Sequence, residues 1–205
     1  MLHLQKVDSI LFSAALPHHQ TVTDVTEHRR GYRRTDLFAS LAGSIVSQQL
    51  STKAADSIWQ RLKSACDGAV TPDALLKLRT PTLRKAGLSA AKVKSLKELS
   101  KAIRTGELDL LALKHLPESV AVEKLSRIWG IGYWTAEMFL MFALRREDVF
   151  SSGDLALVRA IESLYGIPKD SKKEAYEAIA SRWSPYRTFA SRILWKTRDT
   201  SPKNI

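Results

Sequence analysis

Apolar residues along this chain recur at three- and four-residue spacing, and no segment alternates apolar with polar residues at the two-residue period of a half-buried strand. Leu37, Leu41, Ile45 and Val46 fall on one helical face. So do Ala54, Ile58, Trp59 and Leu62, and again Val93, Leu96, Leu99 and Ile103. This period restricts the chain to an all-α fold. Thr71-Pro72-Asp73 and Thr80-Pro81-Thr82 read as helix starts, because proline fits the first helical turn, where its missing N–H has no partner to lose. Gly106 ends the third stripe, and Pro117 opens a helix predicted to reach Ile128, where Gly130-Ile131-Gly132 interrupts it. Thr135 to Leu144 is the most apolar helix and is therefore expected at the centre. Asp154 to Tyr165 follows, stopped by Gly166, and helices near 171–181 and 186–196 complete the order.

At 205 residues the chain fits one compact unit or two small lobes sharing a core. Its single cysteine, Cys66, excludes an intramolecular disulfide, a cysteine-rich zinc site and a four-cysteine iron–sulfur cluster. Cys66 closes a helical run from Trp59 and reads as a half-buried, inert thiol. The first residues lack a basic stretch followed by an apolar one, and no segment approaches the ~20 apolar residues of a membrane span. The expectation is an intracellular protein with no membrane partner, cytoplasmic in a bacterium or archaeon and nuclear in a eukaryote.

Thirty-two Lys and Arg against 21 Asp and Glu leave a net charge of +11. Such an excess suits a polyanion, since each cation placed on a phosphate releases condensed counterions. A basic surface without such a partner is the alternative. Two segments concentrate the charge. Arg29, Arg30, Arg33 and Arg34 surround Gly31 and Tyr32, as a phosphate-contacting arm or a solvated connection. Ala86 to Ser95 places a glycine turn before a helix carrying Lys92, Lys94 and Lys97, as a phosphate-facing loop or a solvated face.

The segment Leu125 to Glu137 carries the strongest functional signal. Gly130 and Gly132 flank Ile131 just before a helix, permitting a tight turn and close approach of another backbone. The N–H groups that open the next helix lack intrahelical partners and carry the positive end of its dipole, which makes an anion site. Asp154 opens a helix after Ser-Ser-Gly, and on residue type alone it is as well suited to capping that helix as to chemistry.

Ile128-Trp-Gly-Ile-Gly-Tyr-Trp-Thr-Ala136 resembles the hairpin of the helix-hairpin-helix DNA glycosylases. Asp148-Val-Phe-Ser-Ser-Gly-Asp154 resembles the stretch that carries their catalytic aspartate. Ile45 to Ala55 is similar to the segment that enters the DNA. Trp183 to Trp195 is similar to the C-terminal helix of the AlkA-type 3-methyladenine DNA glycosylases. The four motifs run in order over roughly residues 36–198.

The resemblance implies a two-lobed helical fold with a DNA-binding cleft between the lobes, one glycosylase unit over 1–205. Residues 36–115 would form mainly one lobe, and residues 116–205 with the N-terminal residues the hairpin and catalytic lobe. It resembles the compact form of the family, without the extra N-terminal α/β domain, and implies a monomer acting on double-stranded DNA that contains damaged bases. Asp154 would be the catalytic carboxylate, steadying positive charge on the sugar and directing water. Trp134 stands where lyase-competent relatives carry lysine. Tryptophan forms no imine, so hydrolysis by water without strand cleavage is expected.

Alkylated purines such as 3-methyladenine and 7-methylguanine, with ethenoadenine a further candidate, are the implied substrates. The cationic ones leave without a general acid and stack on electron-rich rings. Trp134, Met138 and Trp195 would line the base pocket, Met138 standing where the AlkA type has a tyrosine. Gln49 and Leu50 would fill the gap left by the extruded base. Ser51 and Lys53, with Gly130, Ile131, Gly132, Tyr133 and Thr135 of the hairpin, would hold phosphates. No cofactor is required; the backbone carbonyls of Ser126, Ile128 and Ile131 are where the family resemblance puts a monovalent cation. The rivals are a glycosylase for deaminated or oxidised bases and a noncatalytic DNA-binding module of the same motif.

Overall fold

A computed structural model describes residues 2–18 and 36–200; the segment with Arg29, Arg30, Arg33 and Arg34 lies outside them. Among the described residues there are twelve α-helices, two short 3₁₀ turns and no strand, as the apolar period requires. They divide between two compact units, Met1–Arg30 with Arg145–Ile205 and Gly31–Leu144. The division expected at residue 115 therefore lies at 144, and the hairpin belongs with residues 36–115.

The continuous unit holds α3 (Leu37–Ser47), α4 (Thr52–Ala65), α5 (Pro72–Lys77), α6 (Thr80–Lys85), α7 (Ala90–Arg104), α8 (Glu118–Ser126) and α9 (Tyr133–Phe142). Helices α3, α4 and α7 each start on a residue whose side chain accepts an unpartnered first-turn N–H. Asp36 accepts from Ala39, Ser51 from Ala54 and Ser89 from Lys92. Helix α7 packs on α3, α5 and α6, and α9 packs on α8 and α3. This is why the hairpin joins the first half of the chain: α9 buries Ala136, Phe139 and Leu140 against helices of that half. Leu41, Ile45, Leu62, Leu96, Leu99 and Leu125 are completely buried in the same unit. Helix α8 stops at Ser126, two residues short of the expectation, because the Ile128 N–H turns back to the Leu125 carbonyl and Gly130 adopts φ +85°. Cys66 is buried at the end of α4, and burial, with the Asp67 carboxylate adding to it, pushes its thiol pKa up.

The second unit holds α1 (Leu2–Val7), α2 (Ser9–Ala15), α10 (Leu155–Tyr165), α11 (Lys173–Ser181) and α12 (Arg187–Thr200). Leu4, Leu11, Leu157, Ile161, Trp183, Ile193 and Leu194 close its core. Trp183 is fully buried and meets Phe150 edge-on at 5.8 Å. Its indole N–H donates to Asp8 Oδ2 at 2.9 Å, and the Tyr165 hydroxyl donates to the same oxygen at 2.7 Å. Asp8 thus satisfies two buried donors while its other oxygen caps α2 through Leu11 N. Gly166 ends α10 in the left-handed region, as a C-terminal glycine should.

Candidate active site and nucleic-acid interface

In the Gly31–Leu144 unit the glycine hairpin and the turn after α3 are one construction. Gly130 has a positive φ, and a Cβ placed on it would collide with Ser95 Oγ of α7. Glycine is therefore demanded there twice, by backbone conformation and by space. Gly132 differs. Its φ of −82° is ordinary and a Cβ would meet nothing within 4 Å. Nothing among the described residues requires a glycine at this position, which leaves them an open approach to the start of α9. Gly132 is also the cap residue of that helix and has no side chain to accept its first-turn N–H groups. The positive end of α9 therefore opens to solvent beside exposed Tyr133. Ile131 is buried and anchors the turn, whose Ile131 N–H donates to the Ile128 carbonyl at 3.0 Å.

Gln48, absent from the sequence-predicted site, ties this hairpin to the preceding turn. Its Nε2 donates to the Gly130 carbonyl at 3.1 Å and to Thr135 Oγ1 at 3.3 Å. The Thr135 hydroxyl is thus turned inward to Gln48. Lys92 holds the other side of the turn, its Nζ donating to the carbonyls of Val46 and Gln48 at 2.7 and 2.9 Å. A cation there complements the C-terminal end of α3, and burial lowers the Lys92 pKa. Between these two anchors the chain bends outward. Gln49 is exposed with φ +56°, and Leu50 is 39% exposed. Ser51 caps α4 and Lys53 is exposed on its first turn. The adjacency of Gln49 and Leu50 was legible in the sequence; their support by Gln48 and Lys92 was not, because no local pattern marks a bond spanning 82 residues.

On α9, Trp134 is 46% exposed, whereas Met138, one turn further on the same face, is buried. In the Asn-free helix α7, Lys97 donates to the carbonyls of Leu76 and Leu78, closing the end of α5. Two of the three lysines expected as a solvated or phosphate-facing set thus hold backbone carbonyls instead.

In the other unit Asp154 combines the two roles open in the sequence. It is 8% exposed and caps α10, its Oδ1 accepting from Leu157 N at 2.9 Å. The same oxygen accepts the indole N–H of Trp195 at 3.3 Å. Both bonds therefore fall on one oxygen, in a site where burial strengthens the field of the carboxylate. The segment that leads to Asp154 is pinned by α12. Arg187 Nε donates to Asp148 Oδ1 at 2.7 Å and its terminal nitrogen to the Asp148 carbonyl at 2.8 Å, while Ser184 donates to Oδ2. Burial works to raise the Asp148 pKa, but the bonds from Arg187 and Ser184 outweigh it and hold the carboxyl below its ordinary value. Thr188 Oγ1 adds bonds to Arg146 and Val149. A turn from Ser151 to Asp154 follows, closed by the Asp154 N–H on the Ser151 carbonyl.

Residues 42–185 match the family model of the HhH-GPD superfamily base excision DNA repair proteins. DNA-3-methyladenine glycosylase 1 of Schizosaccharomyces pombe is 33% identical over 174 residues, covering 82% of this chain and 75% of that protein. Among solved structures, a DNA-3-methyladenine glycosidase of Bacillus halodurans is similar at a TM-score of 0.81 and 35% identity, over 97% of this chain and 88% of that one. The 3-methyladenine DNA glycosylase of Schizosaccharomyces pombe in complex with abasic DNA is similar at a TM-score of 0.71 and 30% identity, over 96% and 98% of the two chains.

Proposed function

This chain belongs to the HhH-GPD superfamily of base excision DNA repair proteins, and on that premise we propose that it is a monofunctional DNA glycosylase that hydrolyses the N-glycosidic bond of alkylated purines in duplex DNA. The names of its relatives support the alkylated-base activity, and the S. pombe structure in complex with abasic DNA supports DNA as partner. The observation that carries the reading is the buried Asp154 carboxylate, held by both its own helix and the Trp195 indole.

In the reaction, the C1′–N bond of the damaged nucleotide breaks and its electron pair leaves with the base. A cationic 3-methyladenine or 7-methylguanine departs neutral, so no side chain has to protonate it. Positive charge gathers on the deoxyribose, and Asp154 opposes it; the Trp195 N–H fixes the direction of the carboxylate. Water adds at C1′ and gives up a proton, leaving an abasic site. Trp134 offers an exposed indole face for a cationic base, with Met138 beneath it on the same helix face. Gln49 and Leu50 fill the place of the extruded base, one bonding to the orphaned partner and the other replacing lost stacking. Phosphates rest on the start of α9 at Gly132 and Tyr133, with Ser51 and Lys53 contacting the strand near the gap.

Ser126 closes α8, and Ile128 and Ile131 follow in the turn; the Ile128 carbonyl accepts the Ile131 N–H and keeps a second lone pair. Their carbonyl oxygens suit a monovalent cation, which would supply positive charge to a neighbouring phosphate. The protein works as a monomer in the compartment that holds the DNA. No helix among the described residues is long and apolar enough to cross a membrane.

The deciding experiment incubates the protein with duplexes carrying 3-methyladenine, 7-methylguanine, ethenoadenine, hypoxanthine or 8-oxoguanine and measures released base. Release from the methylated duplexes, lost in Asp154→Asn, is the expected result. No release from any methylated duplex overturns the reading. A covalent DNA adduct after borohydride treatment overturns the water mechanism.

A further inference from the structure

Trp129 is 43% exposed, an unusual position for an indole in a folded chain. It stands immediately before Gly130. The Nζ of Lys94 lies 4.4 Å from its ring centroid, and the next residue of α7, Ser95, is the one on which Gly130 rests. Two successive residues of α7 thus meet two successive residues of the hairpin. Ser95 fixes where the hairpin backbone lies, and Lys94 covers the ring beside it.

The attraction of one cation for an exposed ring is small against the rotamer freedom a fixed lysine gives up, so the pair has little value as a stabilising contact. Lys92 and Lys97, on the same helix, each spend their ammonium on two backbone carbonyls. Lys94 instead lies on an aromatic face, which attracts the charge and leaves N–H donors directed away from the ring. Three residues beyond Trp129, Gly132 opens the start of α9, a distance of at most about 11 Å along the chain. We infer that Lys94, positioned by Trp129, is a second phosphate contact beside the hairpin, on the strand that the hairpin holds. This rests on the hairpin binding DNA as proposed above.

The test measures affinity for a duplex with a stable abasic-site analogue across a salt series, by fluorescence anisotropy. Lys94→Gln is expected to lower the slope of log affinity against log salt by about 0.9, and to weaken binding roughly fivefold near physiological salt. Lys94→Arg and Trp129→Phe keep a cation and a ring, and are expected to keep the wild-type slope. Trp129→Leu is expected to lose part of the affinity, and to add nothing in combination with Lys94→Gln. An unchanged slope in Lys94→Gln overturns the inference, and so do losses that add in the double variant. Should Trp129→Leu fail to fold, the comparison of Lys94→Gln with Lys94→Arg decides alone. Base release by the wild type, measured on a methylated duplex, is the separate test of the glycosylase reading: its failure leaves the salt slope to decide the phosphate contact.

Discussion

The Trp195 indole N–H points at Asp154 Oδ1 from 3.3 Å, onto the same oxygen that caps α10 through Leu157 N at 2.9 Å. A side chain from α12 therefore orients the residue that opens α10 in the same unit, and the carboxylate has little freedom to turn. Asparagine caps helices as well as aspartate does. Asp154→Asn should accordingly leave the melting temperature nearly unchanged and lower single-turnover base release by about 10²-fold or more. A loss of stability matching the loss of activity would show a structural role only. Trp195→Phe removes the N–H while keeping a ring, and a smaller loss is expected, about tenfold.

Gly130 is held against Ser95 by sterics and by a left-handed backbone. Gly130→Ala should cost about 1 kcal/mol from conformation and more from the collision. Adding Ser95→Ala removes the offending oxygen and should recover part of the loss, read by urea unfolding. Gly132→Ala meets no atom of the described residues within 4 Å, so its expected effect is on DNA affinity with stability nearly intact. Equal destabilisation by the two alanines would contradict this division.

Gln48 joins the turn after α3 to the hairpin through the Gly130 carbonyl and Thr135. Gln48→Ala is expected to reduce stability by about 1 kcal/mol and to weaken binding of an abasic-site duplex by roughly fivefold. Gln48→Glu supplies acceptors where donors are needed and should be no better than alanine. Binding measured alongside thermal melting separates a loosened hairpin from an unfolded protein.

Glu162 is a buried carboxylate in the same unit as Asp154. Arg159 donates to one oxygen, and the Tyr176 hydroxyl and Asp170 N–H to the other. The Arg159 bond, with those from Tyr176 and Asp170 and against the effect of burial, lowers its pKa from 4.5 to about 2. A carboxylate depressed on folding contributes stability that is complete above its unfolded pKa and lost as pH falls through the folded one. The difference in melting temperature between wild type and Glu162→Gln should therefore be constant above about pH 5 and shrink between 4.5 and about 2. A difference independent of pH across that window would exclude the linkage.

Much of the candidate site's local geometry was legible in the residues themselves because its signals are local. The cap at Asp154, the stop at Gly166 and the hairpin glycines each depend on a few neighbouring residues, and so appear in the chain as spelled. The same holds for Gln49 and Leu50, which stand between the end of one apolar stripe and the start of the next. Gln48, Lys92 and Trp129 carried no such mark. A glutamine beside another glutamine, a lysine among three and an aromatic in an apolar run look alike whether they face solvent or a partner.

The sequence by itself determined the helical class through its apolar period, helix ends such as those at Thr71, Asp154 and Gly166 through their capping residues, and the exclusion of an intramolecular disulfide and of cysteine-rich metal sites through a single Cys66. Only the tertiary structure decided which of two like residues reaches inward. It sends Gln48 to the hairpin and leaves Gln49 exposed, closes Lys92 and Lys97 on carbonyls while Lys94 lies on Trp129, and brings Trp195 to Asp154 across 41 residues. The reason is range. Periodicity and capping act within a turn or two of backbone, whereas these pairings exist only after α3, α7 and the hairpin, and separately α10 and α12, have packed and fixed where each side chain ends.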